Sequence, residues 1–194
     1  PDAAFPEYLS HGGMPSIFSF KERKRELVQR ELSSITDTVL FNDVAMRVGL
    51  RDAALLDKLV TYLFSTSGNL FSARKVTGAL RSAGRKASVE TIENYIAAIE
   101  QAYILYACPQ TGIMGKEVLS PLRKFYPVDT GLRNLAIGFA QRDIGAQLEN
   151  VVFVELLRRG HVSEVGASPT SEVDFVARRY DERQYIQVCA SLLE

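Results

Sequence analysis

One stretch of the chain decides the fold class, residues 72–108, which read SARKVTGALRSAGRKASVETIENYIAAIEQAYILYAC. Ser72 has the side chain of a helix N-cap, and Gly84 suits a helix end, so the pattern predicts a short helix between them. Ser88 predicts the start of a second helix. One face of that second helix collects apolar side chains at helical spacing: Ile92, Tyr95, Ile96, Ile99 and Tyr103.

Strand-forming residues follow these two helices, over 103–108 and again over 124–128, and a further helix is predicted before them over 52–65. Two short helices joined through a glycine, then a two-stranded ribbon, are the pattern of a winged helix-turn-helix. The outward side of its second helix carries Glu90, which suits a phosphate backbone poorly. Helix-turn-helix units also serve as protein-packing modules, so both interpretations stay open.

Basic side chains precede the acidic helix, and they are the nucleic-acid-binding candidates: Arg74, Lys75, Arg81, Arg85 and Lys86. An earlier basic run, over 21–30, alternates with glutamates and is typical of a solvated helix face. The whole chain has 23 Lys and Arg against 23 Asp and Glu, so its net charge is zero. DNA binding, if present, is therefore expected to come from a local patch.

The composition is that of an ordinary globular chain of 194 residues, with 46% hydrophobic and 24% charged residues, which excludes a largely disordered protein. Neither a membrane span nor a signal peptide is predicted, and no membrane partner is expected. Low cysteine usage predicts a cytoplasmic protein, with Cys108 and Cys189 as buried apolar side chains. Because the chain starts at Pro1, we expect it to be cut from a longer protein.

The character of the sequence changes at Gly145. Residues 1–144 hold 18 basic and 15 acidic side chains, whereas 145–194 hold 5 and 8. A helix over 145–159 and three strands, over 161–165, 172–178 and 184–190, are predicted there, with a hairpin turn between the last two. Asp174 is the most distinctive residue, because a carboxylate between apolar strand neighbours is costly unless it is paired, hydrated or metal-bound.

A helix glutamate (Glu149), an aspartate in a hairpin strand (Asp174) and two alternate polar positions in the next strand resemble the PD-(D/E)XK nuclease-like layout. The likeness to one family is closer: the chain resembles the C-terminal region of prokaryotic AAA-type ATP-binding proteins with an uncharacterised nuclease-like tail. Six motifs carry this resemblance: YLSHGGMP (8–15), SVETIENY (88–95), FYPVDTGLR (125–133), GAQLENVVFVELLRRG (145–160), EVDF (172–175) and YIQVCAS (185–191).

The resemblance implies an α+β protein in which a helical winged-helix-like module is followed by a truncated PD-(D/E)XK nuclease-like α/β module. We expect four parts: the trailing edge of a missing ATPase domain (1–19), the helical module (20–132), a connector (133–144) and the nuclease-like module (145–194). The chain lacks the phosphate-binding loop of ATPases, so no ATPase activity is expected from it alone. ATP is expected to act through the absent ATPase domain, which would also be a partner in the full-length protein.

The resemblance also implies a site for Mg²⁺ or Mn²⁺, with Glu149 and Asp174 as metal ligands and Gln187 as a third catalytic position. Gln187 falls where the motif has its second acid, and Cys189 where it has its lysine, and both departures weaken catalysis. Glu172 is a candidate for an extra carboxylate on the same face. Asp129 or Thr130 is predicted to cap a helix.

Three hypotheses follow. The leading one is a DNA-associated or partner-binding module with a degenerate nuclease-like domain, working under an ATPase. The second is a metal-dependent DNA nuclease that uses Glu149, Asp174 and Gln187. The third is a protein-interaction scaffold that does not bind nucleic acid. Whether the chain is an enzyme stays open at this point, and its oligomeric state is not predicted.

Overall fold

The computed structural model describes residues 4–49, 52–110, 122–140, 143–167 and 172–190. They contain both helices and two antiparallel sheets, which confirms the α+β class. The chain forms two compact units. Unit 1 comprises Pro1–Ser65, Ser72–Tyr106 and Pro127–Gly138, and unit 2 comprises Thr66–Phe71, Ala107–Tyr126 and Phe139–Glu194. The predicted module boundaries at 132 and 145 stay a prediction.

Unit 1 is helical. Its helices are α1 (Ala4–His11), α2 (Arg25–Thr38), α3 (Ala45–Val48), α4 (Ala53–Ser65), α5 (Ala73–Ser82), α6 (Val89–Gln101) and α7 (Thr130–Ile137). A 3₁₀ turn, Pro15–Ser19, follows α1, and a π-helical segment, Val39–Val44, joins α2 to α3. Helix α7 packs against α1, α2 and α4, while α6 packs against α3 and α5. The apolar face of α4 is buried.

The predicted caps of α5 and α6 are confirmed. The Ser72 hydroxyl accepts a hydrogen bond from the backbone N–H of Lys75, and the Ser88 hydroxyl accepts one from Thr91 at 3.0 Å. Four of the five apolar residues assigned to α6 are buried, but the placement of Tyr103 was wrong. The helix ends at Gln101, and Tyr103 turns outward with φ +57° and 71% of its surface exposed.

The loop after α1 is fastened to the start of α7 by the motif that the sequence singled out at Asp129. Asp129 caps α7 through the Leu132 N–H at 3.1 Å, and its other oxygen accepts the Gly13 N–H at 2.6 Å. The Thr130 hydroxyl donates to the Tyr8 carbonyl at 2.7 Å. A Cβ on Gly131 would lie 2.1 Å from the backbone oxygen of His11, so the two segments touch at backbone distance. This motif is thus a structural junction within unit 1.

The strands lie mostly in unit 2, which also holds one helix. The strands are β1 (Leu70–Phe71), β2 (Leu105–Pro109), β3 (Arg123–Pro127), β4 (Val162–Ala167), β5 (Glu172–Arg179) and β6 (Glu182–Ile186), and the helix is α8 (Ile144–Arg158). One sheet has the order β1-β3-β2, and the other is an antiparallel β4-β5-β6 meander. The predicted hairpin between β5 and β6 is confirmed, since Arg179 pairs with Glu182 across a two-residue turn.

The core of unit 2 is aromatic. Tyr126 of β3 stacks on Phe153 of α8 with ring centroids 4.4 Å apart, and Phe175 of β5 lies 5.6 Å from each. On α8, Leu156 is buried, whereas Leu148, Val151 and Val152 are only half-buried. The fully buried positions are instead Gln147, Asn150, Phe153 and Leu156.

Among the described residues, no helix combines the length and the apolarity that crossing a lipid bilayer requires.

Candidate functional site

Glu149 is the centre of a buried polar cluster in unit 2. It lies one helical turn before Phe153 on α8, so its side chain shares the face that packs on β3. Lys124 and Tyr126 alternate along β3 and present their side chains on one side of that strand. The Glu149 Oε1 atom accepts the Tyr126 hydroxyl at 2.6 Å and the Lys124 ammonium at 3.2 Å.

Gly68, just before β1, completes this cluster. A Cβ at that position would lie 3.1 Å from Glu149 Oε2, and the φ of +82° is one that side-chain-bearing residues rarely adopt. The side chains of Lys124 and Glu149 are only 6% and 15% exposed. Glycine thus allows the backbone to close over the carboxylate, which leaves Lys124 and Glu149 as a buried, neutralised pair.

The Tyr126 phenol stays protonated in this cluster. Burial is the main cause that raises the pKa of Tyr126, and the negative charge and hydrogen bond of Glu149 raise it further. The charge of Asp174 acts in the same direction, so Asp174 lies within electrostatic range of the Tyr126 hydroxyl. Tyr126 therefore acts as a hydrogen-bond donor to Glu149 at neutral pH.

Asp174 makes its own local contacts at the end of the β5–β6 ladder. Its Oδ2 atom accepts the backbone N–H of Val188 at 2.7 Å and the side-chain amide of Gln187 at 2.8 Å. The predicted third strand ends at Ile186, four residues earlier than expected, because Asp174 takes the Val188 N–H with its side chain. The structure thus brings Asp174 and Gln187 together, and it brings Glu149 together with Lys124 and Tyr126.

The two carboxylates are already hydrogen-bonded, and this arrangement does not fit the Mg²⁺ or Mn²⁺ site that the resemblance implies. Such a site needs carboxylates that are not already paired with another cation, whereas Glu149 Oε1 accepts a hydrogen bond from the Lys124 ammonium group. The described residues include no group of three or more His, Cys, Asp or Glu side chains placed to hold a metal ion. The side chain of Glu172 lies outside the described part of the chain. Metal binding by Glu149 and Asp174 stays a prediction.

The two cysteines differ from each other. Cys108 is buried, as predicted, and burial raises the pKa of its thiol to about 12, so it is an inert apolar side chain. The prediction for Cys189 was wrong, because it is exposed and lies beyond the end of β6. Cys189 stands where the nuclease-like motif has its lysine. The ammonium group beside Glu149 comes instead from Lys124 of β3.

Lys124 and Tyr126 are the residues that sequence reasoning missed. The strand over 124–128 was predicted, and its sequence indicates a buried charge. A lysine begins a run of residues that are otherwise apolar or aromatic. A lysine at a buried strand position requires an acidic partner. Its partner, Glu149, lies 25 positions further along the chain.

A basic surface forms the second candidate site, in unit 1. It comprises Arg74, Lys75, Arg81 and Lys86, all exposed, with Arg85 half-buried beside them. The sequence from Ser72 to Val89 contains these five cations and no acidic residue. Arg85 pairs with Asp52 at 3.6 Å, but none of the four exposed cations makes an ion pair with a described residue. Their charge is therefore not compensated by any ion pair within the described part of the chain.

The earlier basic run differs in this respect. Arg23 pairs with Glu7 at 2.5 Å, and Lys24 lies 3.1 Å from Glu22. The cations over 21–30 are exposed and glutamates stand between them, as predicted, but α2 begins at Arg25, so Lys21, Arg23 and Lys24 precede the helix. Of the two basic runs that the sequence analysis named, the run of the α5 region alone has exposed cations with no acidic residue between them.

Comparison with known proteins gives a family and two uncharacterised relatives. Residues 2–143 match the domain of unknown function DUF8612. An uncharacterised protein of Haemophilus influenzae is 37% identical over 193 residues, which cover all of this chain and 48% of the relative. An uncharacterised protein of Methanocaldococcus jannaschii is 29% identical over 194 residues, covering 97% of this chain and 42% of the relative. No solved structure gives a significant match.

The chain thus spans about half the length of the curated relatives that it matches. The family match runs from the first helices through β3 and α7, so it includes both the basic surface and the Asp129 junction. The greater part of the chain is covered, and the protein belongs to the DUF8612 family.

Proposed function

We propose that this chain is a DNA-associated module of a longer ATP-binding protein, in which the basic surface of unit 1 contacts the phosphate backbone. In this proposal unit 2 is a degenerate nuclease-like domain whose Glu149 and Asp174 serve structure. ATP binding is assigned to a part of the longer protein outside this chain, and the protein to the cytoplasm, in keeping with its two free cysteines.

The uncompensated charge of the basic surface is the observation that carries this proposal. Four exposed cations that make no ion pair with a described residue cost little to bring to a polyanion, because no such pair has to be broken. Residues 1–144 also have a net positive charge, with 18 basic against 15 acidic side chains. Lys and Arg contacts to phosphates supply most of the sequence-independent affinity of DNA-binding proteins.

The order of the elements supports the winged-helix part of the proposal. Along the chain α4, β1, α5, α6, β2 and β3 follow one another, and the strands are ordered β1-β3-β2. The outer side of α6 carries Glu90, Asn94 and Ala97 and has little to offer a phosphate. Since α5 and its connection to α6 bear the cations, we propose binding with little sequence preference.

Removal of the charges tests the proposal. Fluorescence anisotropy of a labelled duplex at about 50 mM salt is expected to report binding that weakens at least tenfold when Arg74, Lys75, Arg81 and Lys86 are all changed to Gln. The matched control changes Lys21, Lys24, Arg25 and Arg30 to Gln. It removes the same charge from exposed positions in and just before α2, and it is expected to keep most of the affinity.

Two results would favour the alternatives. Equal loss in both quadruple variants would mean that net charge, and not the α5 surface, governs binding. Absence of binding at low salt, together with a stable complex with another protein, would favour the scaffold. Plasmid nicking in Mg²⁺ or Mn²⁺ that Asp174→Ala abolishes would favour the metal-dependent nuclease, whereas the proposal expects intact plasmid.

A further inference from the structure

We propose that a cleft in unit 1 binds the terminal 5′-phosphate of a DNA strand, an inference that rests on the proposed function and names the group that it recognises. The cleft has a volume of about 610 Å³, within the range of small-ligand sites. Its polar lining consists of Asp52, Arg81, Lys86, Ser88, Thr91 and Tyr95. It therefore contains two of the four exposed cations of the basic surface.

The charge of the cleft matches a dianion. Asp52 is compensated by Arg85 at 3.6 Å, whereas Arg81 and Lys86 make no ion pair with a described residue. The lining itself carries one net positive charge, and the sum rises to two when Arg85, which pairs with Asp52 but is not part of the lining, is counted. A phosphate monoester carries about −1.5 to −2 charges at neutral pH, but a phosphodiester within a strand carries only one. Two free cations in a concave site therefore favour a terminal phosphate over a backbone phosphate.

The hydroxyl groups of the cleft provide a donor. Ser88 Oγ accepts the Thr91 N–H at 3.0 Å and lies 2.8 Å from Thr91 Oγ1. One of the two hydroxyl groups donates its proton to the other. The hydroxyl group that accepts still has its own proton, and that proton has no acceptor among the described residues. Phosphate oxygens are acceptors only, so they suit this remaining donor.

The rest of the wall is apolar. Leu55 and the ring of Tyr95 are each 6% exposed, and Ala87 lies beside them. Apolar surroundings strengthen the attraction between opposite charges, because they lower the local dielectric constant. They also give the sugar and base of a terminal nucleotide a surface to pack on, next to the cations that hold its phosphate.

A pair of duplexes tests this inference with the intact chain. Two labelled duplexes of the same sequence, one with a 5′-phosphate and one with a 5′-hydroxyl, are titrated by anisotropy. We expect the phosphorylated duplex to bind about tenfold more tightly, as charge-assisted hydrogen bonds allow. The Arg81→Gln and Lys86→Gln variants should lose this preference. The matched Arg74→Gln and Lys75→Gln variants should weaken both duplexes equally and keep it.

The outcomes separate the inference from the proposed function. Equal affinity of the wild-type chain for the two duplexes would overturn the cleft and leave DNA binding standing. If neither duplex binds, the proposed function fails. Calorimetric titrations with thymidine 5′-monophosphate, and with thymidine as the control, then test the cleft by itself. Nucleotide binding that Arg81→Gln removes would support the cleft, and absence of binding would overturn it.

Discussion

Replacing Glu149 with alanine is expected to lower the free energy of unfolding by about 3–5 kcal/mol, the largest effect that we expect from a single substitution. The change takes the carboxylate away from the Lys124 ammonium, whose side chain is 6% exposed. It also deprives the Tyr126 hydroxyl of its 2.6 Å acceptor. The buried Lys124 charge then loses the carboxylate that neutralises it, and the Tyr126 donor loses its acceptor. Urea denaturation followed by circular dichroism measures the loss.

A double variant provides the control. Lys124→Met combined with Glu149→Met replaces the ion pair by apolar side chains of similar length, and such replacements are often neutral. We expect the double variant to be clearly more stable than Glu149→Ala. Additive losses from the single changes would show that Lys124 and Glu149 do not act as a pair. No loss in Glu149→Ala would contradict the structural role assigned to Glu149.

Asp129→Ala is expected to cost about 2–4 kcal/mol, since it removes the helix cap on the buried Leu132 N–H and breaks the part-buried hydrogen bond from the Gly13 N–H. Asp129 is 5% exposed, and its two oxygens join the Gly13 N–H to the first turn of α7. Asp57→Ala is the matched control, because that aspartate is exposed on α4. Its effect should stay within about 0.5 kcal/mol. Equal losses in the two variants would contradict the junction.

The effect of Asp129→Ala should depend on pH. Burial raises the pKa of Asp129 above its ordinary value of 3.8, although hydrogen bonds from the backbone of Gly13, Leu132 and Gly131 oppose the shift. The folded chain therefore retains this proton at pH values where the unfolded chain has lost it. Stability linked to this group is complete below pH 3.8 and falls as the pH rises through the folded pKa. The difference between wild type and variant should narrow over that window.

Local features of unit 1 could be predicted from the sequence. Ser72, Ser88 and Asp129 cap their helices as expected, because a cap depends on a side chain and on backbone N–H groups within three residues of it. Tyr103 fitted the apolar face of α6 by spacing alone, but the helix had ended two residues earlier. Periodicity gives the face of a helix more reliably than its end.

The contacts of the candidate site could be predicted only in part. The resemblance to the nuclease-like layout placed Asp174 and Gln187 in one site, and the register of the β5–β6 hairpin brings them into contact. The Lys124–Glu149 pair joins a strand to a helix from another part of the chain, and no local rule links them. Strand β1 has only two residues, too few to leave a pattern of alternation.

The salt dependence of duplex binding tests the central claim most directly, that the cations of α5 and its connection contact DNA phosphates. For contacts from four cations, the logarithm of the association constant should fall against the logarithm of the salt concentration with a slope of about −3 to −4. The variant with Gln at Arg74, Lys75, Arg81 and Lys86 should give a slope close to zero. Binding that does not change with salt, or a slope that the variant retains, would contradict the claim.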